Sequence, residues 1–221
     1  MVVLATKLYV EGDARERALD SLRSQVDNDV GDLDVEYDIG VRHDDFPTVT
    51  LEGPDEVAAR NVLAETWGEI TEGFEDGETY VGTLESWDDD GFVVDAGEDV
   101  LVPADELGLG PGSPAQIRER FGLVQHVPLR FTYGETPELA DVEQDRLYDW
   151  TRGTGRLNVN SATRGEVRAT VNRAGHAQDI VTVERLGLLE QSVVCREGTD
   201  PPGLLAAVGE YLPSELLAVV P

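Results

Sequence analysis

Apolar and polar positions change period several times along the chain, and each change marks an element. Residues 2–10 are mostly apolar and predict a strand. Ala18, Leu22 and Val26 recur four apart, which predicts a helix over 13–26. Residues 35–41 alternate at the strand period, and 48–51 form a further short strand. Gly53-Pro54-Asp55 then opens a helix carrying Ala58, Val62, Leu63 and Trp67 on one side. The order β-α-β-β-α is most of a ferredoxin-like unit, with a closing strand expected near Ile70.

From Tyr80 the rhythm shortens. Residues 81–87, 92–95 and 100–103 are strand-like and are separated by the turns Asp88-Asp89-Asp90-Gly91 and Gly97-Glu98-Asp99. A helix over 113–121 has Pro114 at its first position, and 124–133 is the next strand. Short strands interrupted by one helix suit a small closed barrel. A third section starts at Thr136-Pro137 with a helix whose stripe is Leu139, Val142, Leu147 and Trp150. Strand 157–160, helix 163–174, strands 180–185 and 188–195, helix 202–212 and strand 216–220 follow, a full β-α-β-β-α-β order. The fold class is therefore α+β, with an N-terminal domain over 1–72, a barrel over 73–135 and a helix plus ferredoxin-like unit over 136–221.

Charge changes the picture more than hydropathy does. The chain of 221 residues carries 45 acidic and 17 basic residues, a net of −28. Lys7 is its one lysine, and the other basic residues are arginines. Such self-repulsion opposes compactness in dilute buffer. It fades at about 1 M salt, where the screening length is about 3 Å. An acidic coat almost free of lysine resembles the proteins of halophilic archaea. The lone Cys195 allows no intramolecular disulfide, as expected of a reducing cytoplasm. The longest apolar runs, 204–208 and 216–220, are far short of the roughly 20 residues a spanning helix needs, so no membrane partner is expected. The N-terminus has no basic leader of a signal peptide.

Gly82, the run Gly91-Phe92-Val93-Val94-Asp95 and the run Leu101-Val102-Pro103-Ala104-Asp105-Glu106-Leu107 resemble the S1-type OB domain of RNA-binding proteins. The resemblance implies a barrel whose sheet stacks bases on aromatics, with Phe92 at the aromatic position. The sequence departs from that pattern at Pro103, where the family has a histidine. Residues 76–133 also hold twelve acidic residues against three basic ones, a poor surface for phosphate. Phe92 is open to two roles, base contact or core packing.

Arginine is distributed unevenly. Arg152, Arg156, Arg164, Arg168 and Arg173 face only Glu166 over 152–173, a positive island in an acidic chain. Thr163 and Glu166 have the capping-box spacing, which starts a helix at Arg164. A cation there opposes the helix dipole, and a bound phosphate at the helix start would relieve the conflict. Gly165 would admit the backbone close to it. Arg164, Arg168 and Asn172 share one side of that helix, and Asn160 and Asn172 add hydrogen bonding for bases. The alternative is that these arginines pair with carboxylates of the other domains.

Catalytic chemistry is not signalled. The chain has no Gly-x-Ser-x-Gly, phosphate loop or dinucleotide fingerprint. His43, His126 and His176 are widely spaced without a Cys-x-x-Cys, so no metal site and no cofactor are expected. The chain as a whole, including Thr182-Val183-Glu184-Arg185-Leu186-Gly187 and Gly198-Thr199-Asp200-Pro201-Pro202-Gly203, resembles an uncharacterised archaeal family. The expectation is a non-enzymatic RNA-binding accessory factor of translation or RNA processing. A protein-interaction adaptor docking on a larger cytoplasmic complex is the alternative.

Overall fold

A computed structural model describes residues 1–221. Its first unit runs β1 (Val2–Val3), α1 (Gly12–Val30), β2 (Glu36–Val41), β3 (Pro47–Glu52) and α2 (Glu56–Trp67). The antiparallel sheet has the order β1-β3-β2. Ala18, Leu22 and Val26 of α1 and Ala59, Leu63 and Trp67 of α2 share one core with Val2, Val49 and Leu51. The strand expected over 2–10 shrinks to two residues. Beyond it Thr6, Lys7 and Leu8 are buried against other parts of the chain, with Thr6 Oγ1 accepting from the Leu188 amide at 2.7 Å. The mostly apolar run over 2–10 records burial, which a strand and a domain junction share. The closing strand expected near Ile70 is only a bridge between Leu4 and Glu69, extended by one bond from the Ile70 amide to the Val3 carbonyl.

The middle unit continues with β4 (Thr79–Asp88), β5 (Gly91–Asp95), β6 (Asp99–Pro103), α3 (Pro114–Phe121), β7 (Pro128–Thr132), β8 (Glu138–Leu139) and α4 (Asp141–Arg152). The sheet order is β6-β5-β4-β7-β8, a curled half-barrel whose outer strands do not pair with each other. The closed barrel expected from the sequence is therefore not formed. Helices fill the open side instead, with Ile117 and Phe121 of α3 and Leu147 and Trp150 of α4 in one cluster with Leu84, Phe92, Val102 and Phe131. The helix read as the head of the third section thus packs with the middle unit.

The last unit is β9 (Arg156–Val159), α5 (Arg164–Arg173), β10 (Ile180–Arg185), β11 (Gln191–Cys195), α6 (Pro201–Gly209) and β12 (Leu216–Val219). Its strands lie in the order β10-β11-β9-β12, every pair antiparallel. Leu157, Val159, Val193 and Cys195 point to the face covered by α5 and α6. Alternate residues point to the opposite face, and its β9–β12 side is closed by the half-barrel. There Val219 joins the half-barrel core, and the Asn158 amide donates to the Gly122 carbonyl at 2.8 Å.

Gly122 makes this docking possible. It ends α3 in the left-handed region at φ 66°, and an added Cβ would lie 2.5 Å from Val219 Cγ2 and 2.8 Å from Asn158 Nδ2. Gly122→Ala is expected to lower the unfolding free energy by about 2–4 kcal/mol, combining left-handed strain with overpacking. Urea melts at fixed salt measure it, and an unchanged midpoint would show that the two units yield at this contact.

A buried polar chain joins all three units. Lys7 Nζ lies 2.7 Å from Asp95 Oδ2, 3.0 Å from Glu85 Oε1 and 5.0 Å above the Phe46 ring. His126 Nδ1 is 3.2 Å from the same Glu85 oxygen, and its ring centroid is 4.1 Å from that of Tyr9. The Tyr9 hydroxyl donates to Glu190 Oε1 at 2.7 Å and accepts from the Ser161 amide at 2.9 Å. His126 and Ser161 both hold positive φ, 67° and 57°, a conformation uncommon outside glycine.

Candidate nucleic-acid interface

The exposed side of α5 carries Arg164, Arg168, Asn172 and Arg173. Arg164 Nε donates to the Val183 carbonyl at 2.7 Å, and no carboxylate lies within ion-pair distance of Arg164 or Arg168. Arg173 reaches over Tyr211, 5.9 Å from the ring centroid. Thr163 and Glu166 form the expected capping box, with the Glu166 carboxylate accepting from the Thr163 amide at 2.8 Å. Burial would raise the proton affinity of Glu166, but hydrogen bonds from the Thr163 backbone and from Arg17 at 2.8 Å hold it below the ordinary value. The Glu166 carboxylate takes the Thr163 amide and hydroxyl at the cap position and sets a negative charge beside the helix start, where Gly165 faces open space.

The other residues of the predicted island fall elsewhere. Arg156 lies on β9, paired with Glu184 and 5.3 Å from the Trp150 ring. Arg152 is exposed at the end of α4, 3.9 Å from Asp149. Asn160 is buried, donating to the Gln125 carbonyl at 3.2 Å and accepting from the Glu215 amide at 2.9 Å. It is a fastening between units and, at 6% exposure, presents little surface to a base. Thr163 is likewise buried in its cap. Phe92 has no exposed surface, because alternation along β5 turns it inward with Val94. It packs the half-barrel and offers no face for stacking. His176 pairs with Asp179 at 2.7 Å and does not join the arginines.

Tertiary structure adds cations that local patterns do not reveal. The Arg185 guanidinium lies 3.6 Å from the Trp67 ring centroid, the separation of a parallel stack, and donates to the Thr66 carbonyl at 3.4 Å. No carboxylate lies within ion-pair distance of it. Burial lowers the proton affinity of Arg185, Asp29 raises it, and nearby Arg164 lowers it again, leaving it below the ordinary value. Arg185 and Thr66 are 119 residues apart, so no spacing could have brought them together. The available signal was an arginine at the last position of a strand, which is common to many surfaces. Arg146 stands beside Trp150 at 5.0 Å, paired with the buried Glu143 that also binds Arg130.

These features define a class: a three-unit α+β protein with an arginine-bearing surface set into a strongly acidic body, and no helix long and apolar enough to cross a membrane. The chain belongs to the DUF2110 family. The DUF2110 N-terminal domain matches residues 1–73, the DUF2110 central domain 74–151 and the DUF2110 C-terminal domain 154–220. No curated protein shows a significant match to this chain.

Proposed function

We propose that this protein binds single-stranded RNA through the flank of α5 and the adjoining Arg185, as a non-catalytic accessory factor of translation or RNA processing in the cytoplasm of a halophilic archaeon. The observation that carries it is electrostatic. In a chain of net charge −28, Arg164, Arg168 and Arg185 cluster without one carboxylate partner. Neighbouring cations repel, and the arrangement is stabilised by an anion with several acceptor oxygens. The sheet order β10-β11-β9-β12, with both helices on one face, supports the ferredoxin-like assignment of the last unit. The strongly curled middle sheet supports kinship with S1-type barrels, although its Phe92 is committed to the core.

Phosphate contact alone weakens steeply with salt as counterion release loses its drive. Binding here combines charge with guanidinium stacking, which salt does not screen. Labelled single-stranded RNA titrated in about 1 M KCl tests the site by fluorescence anisotropy. Arg164→Glu with Arg168→Glu is expected to weaken binding at least about thirtyfold, at about 1 kcal/mol or more per contact. Arg23→Glu, on α1 where Arg23 pairs with Asp20, serves as the charge control and leaves affinity unchanged. Full affinity in the double variant would overturn the assignment.

A further inference from the structure

Two adjoining cavities of about 170 and 320 Å³ share Arg146 and Leu186 and form one trench where the three units meet. The larger reaches the lower end of the range of small-ligand sites, about 300 Å³. Its floor is the end of the last unit's sheet that the half-barrel leaves uncovered, where Arg156 and Glu184 lie side by side. Trp67 at the end of α2 and Trp150 in α4 form the walls.

The trench is far richer in cations than the rest of the molecule, although the buried Glu143 beneath it pairs with Arg130 and Arg146. Arg130, Arg146, Arg156 and Arg185 line it against Glu65, Asp149 and Glu184. Over the whole chain carboxylates outnumber cations 45 to 17. Arg185 has no carboxylate partner, and the Nε of Arg146 is buried without any hydrogen-bond acceptor. The indole faces are already covered, Trp67 by Arg185 and Trp150 by Arg146 and Arg156. Arg185, 3.6 Å from the Trp67 ring centroid, is at the separation of a stack, and its other side lines the trench beside Arg146 and Arg156. A flat aromatic ring stacks on such a surface, and an adjacent phosphate takes the remaining N–H donors.

We infer that the trench seats one nucleotide of a single strand, its base on Arg185 and its phosphate between Arg146 and Arg156. This rests on the RNA-binding proposal and names the subsite that supplies its salt-tolerant part. A phosphopeptide would satisfy the guanidinium donors but leave the stacking surface empty, which is why a nucleotide is favoured.

The test uses the three indole N–H signals of Trp67, Trp87 and Trp150 in the intact protein, followed by nuclear magnetic resonance. A ten-nucleotide single-stranded RNA and, at higher concentration, adenosine monophosphate should shift Trp67 and Trp150 and leave Trp87 in place. Trp87 is stacked on Arg118 in the middle unit, outside the trench. Inorganic phosphate should shift them less. Arg185→Met keeps a stem over Trp67 but removes the plane and the charge, and should weaken RNA binding at least about tenfold, as about 1.4 kcal/mol. If that variant does not fold, the wild-type indole signals still decide. Should RNA bind through α5 while Trp67 and Trp150 stay unmoved and Arg185→Met retains full affinity, the trench proposal falls and RNA binding stands. Absence of RNA binding in every arm ends both. A phosphoserine peptide competing as well as adenosine monophosphate would remove the base from the site and overturn the inference.

Discussion

Lys7→Met is expected to lower the unfolding free energy by about 3 kcal/mol, the low end for breaking a buried ion pair by removing one partner. Lys7 is 8% exposed and holds two carboxylates of the middle unit, Glu85 and Asp95, against the N-terminal unit. Burial alone would lower its proton affinity, but its hydrogen bonds to Asp95 and Glu85 outweigh that and keep it above the ordinary value. Burial likewise pushes Glu85 up, while hydrogen bonds from His126, Lys7 and Thr83 bring it down to about 2. A carboxyl held below its ordinary 4.5 contributes stability that is present above pH 4.5 and is lost as pH falls towards 2. The deficit of the methionine variant should therefore be full near neutrality and shrink across that window. Urea melts at several pH values and constant KCl read both effects. A variant with the wild-type midpoint throughout would mean that the pair is worth no more than a surface bridge. Arginine supplies nearly every other cation of this chain, yet a compact ammonium stands where two carboxylates and the Phe46 face converge.

Glu190→Gln acts in the opposite direction and at the other end of the pH scale. Glu190 has no exposed surface, and burial pushes its carboxyl up to about 8. The Tyr9 hydroxyl and the backbone N–H groups of Leu189 and Glu190 favour its charge, but nearby Glu85 opposes it. Its second oxygen has no hydrogen-bond partner. Burial and the Glu190 charge also hold the Tyr9 phenol well above its ordinary value, so it remains a donor. A carboxyl raised in this way stabilises the fold fully below pH 4.5, and that contribution is lost as pH rises through about 8. The neutral amide escapes the loss. The variant should match the wild type near pH 4 and exceed it above pH 8 by roughly 3–5 kcal/mol, at about 1.4 kcal/mol per unit. Thermal melts across this range decide it. An amide variant weaker at every pH would show that the site is built around a charged carboxylate.

Both residues belong to a chain of polar contacts that sequence patterns could not assemble. Lys7, Glu85, His126, Ser161 and Glu190 come from three units, and each is locally unremarkable. Only the uncommon backbone of His126 and Ser161 marks the place, and backbone angles of non-glycine residues are not written in composition. Arg146, Trp150, Arg156 and Arg185 meet in the trench for the same reason: docking of whole units, set by contacts such as Asn158 with Gly122, brings them together.

Local chemistry was legible. The capping box of Thr163 and Glu166, Pro114 at the start of α3, and the β-α-β-β-α-β order of the last unit follow from short-range rules of caps, proline and periodicity. The exposed pair Arg164 and Arg168 was legible too, because residues four apart on a helix share a side whatever the tertiary fold. Tertiary structure alone decided the fates of Phe92, Asn160 and Arg156, since burial and pairing depend on what lies opposite. It also opened the expected barrel, because α3 and α4 supply the apolar surface that strand closure would otherwise have provided. Periodicity names the face a residue occupies; which surface covers that face is settled by parts of the chain far away in sequence.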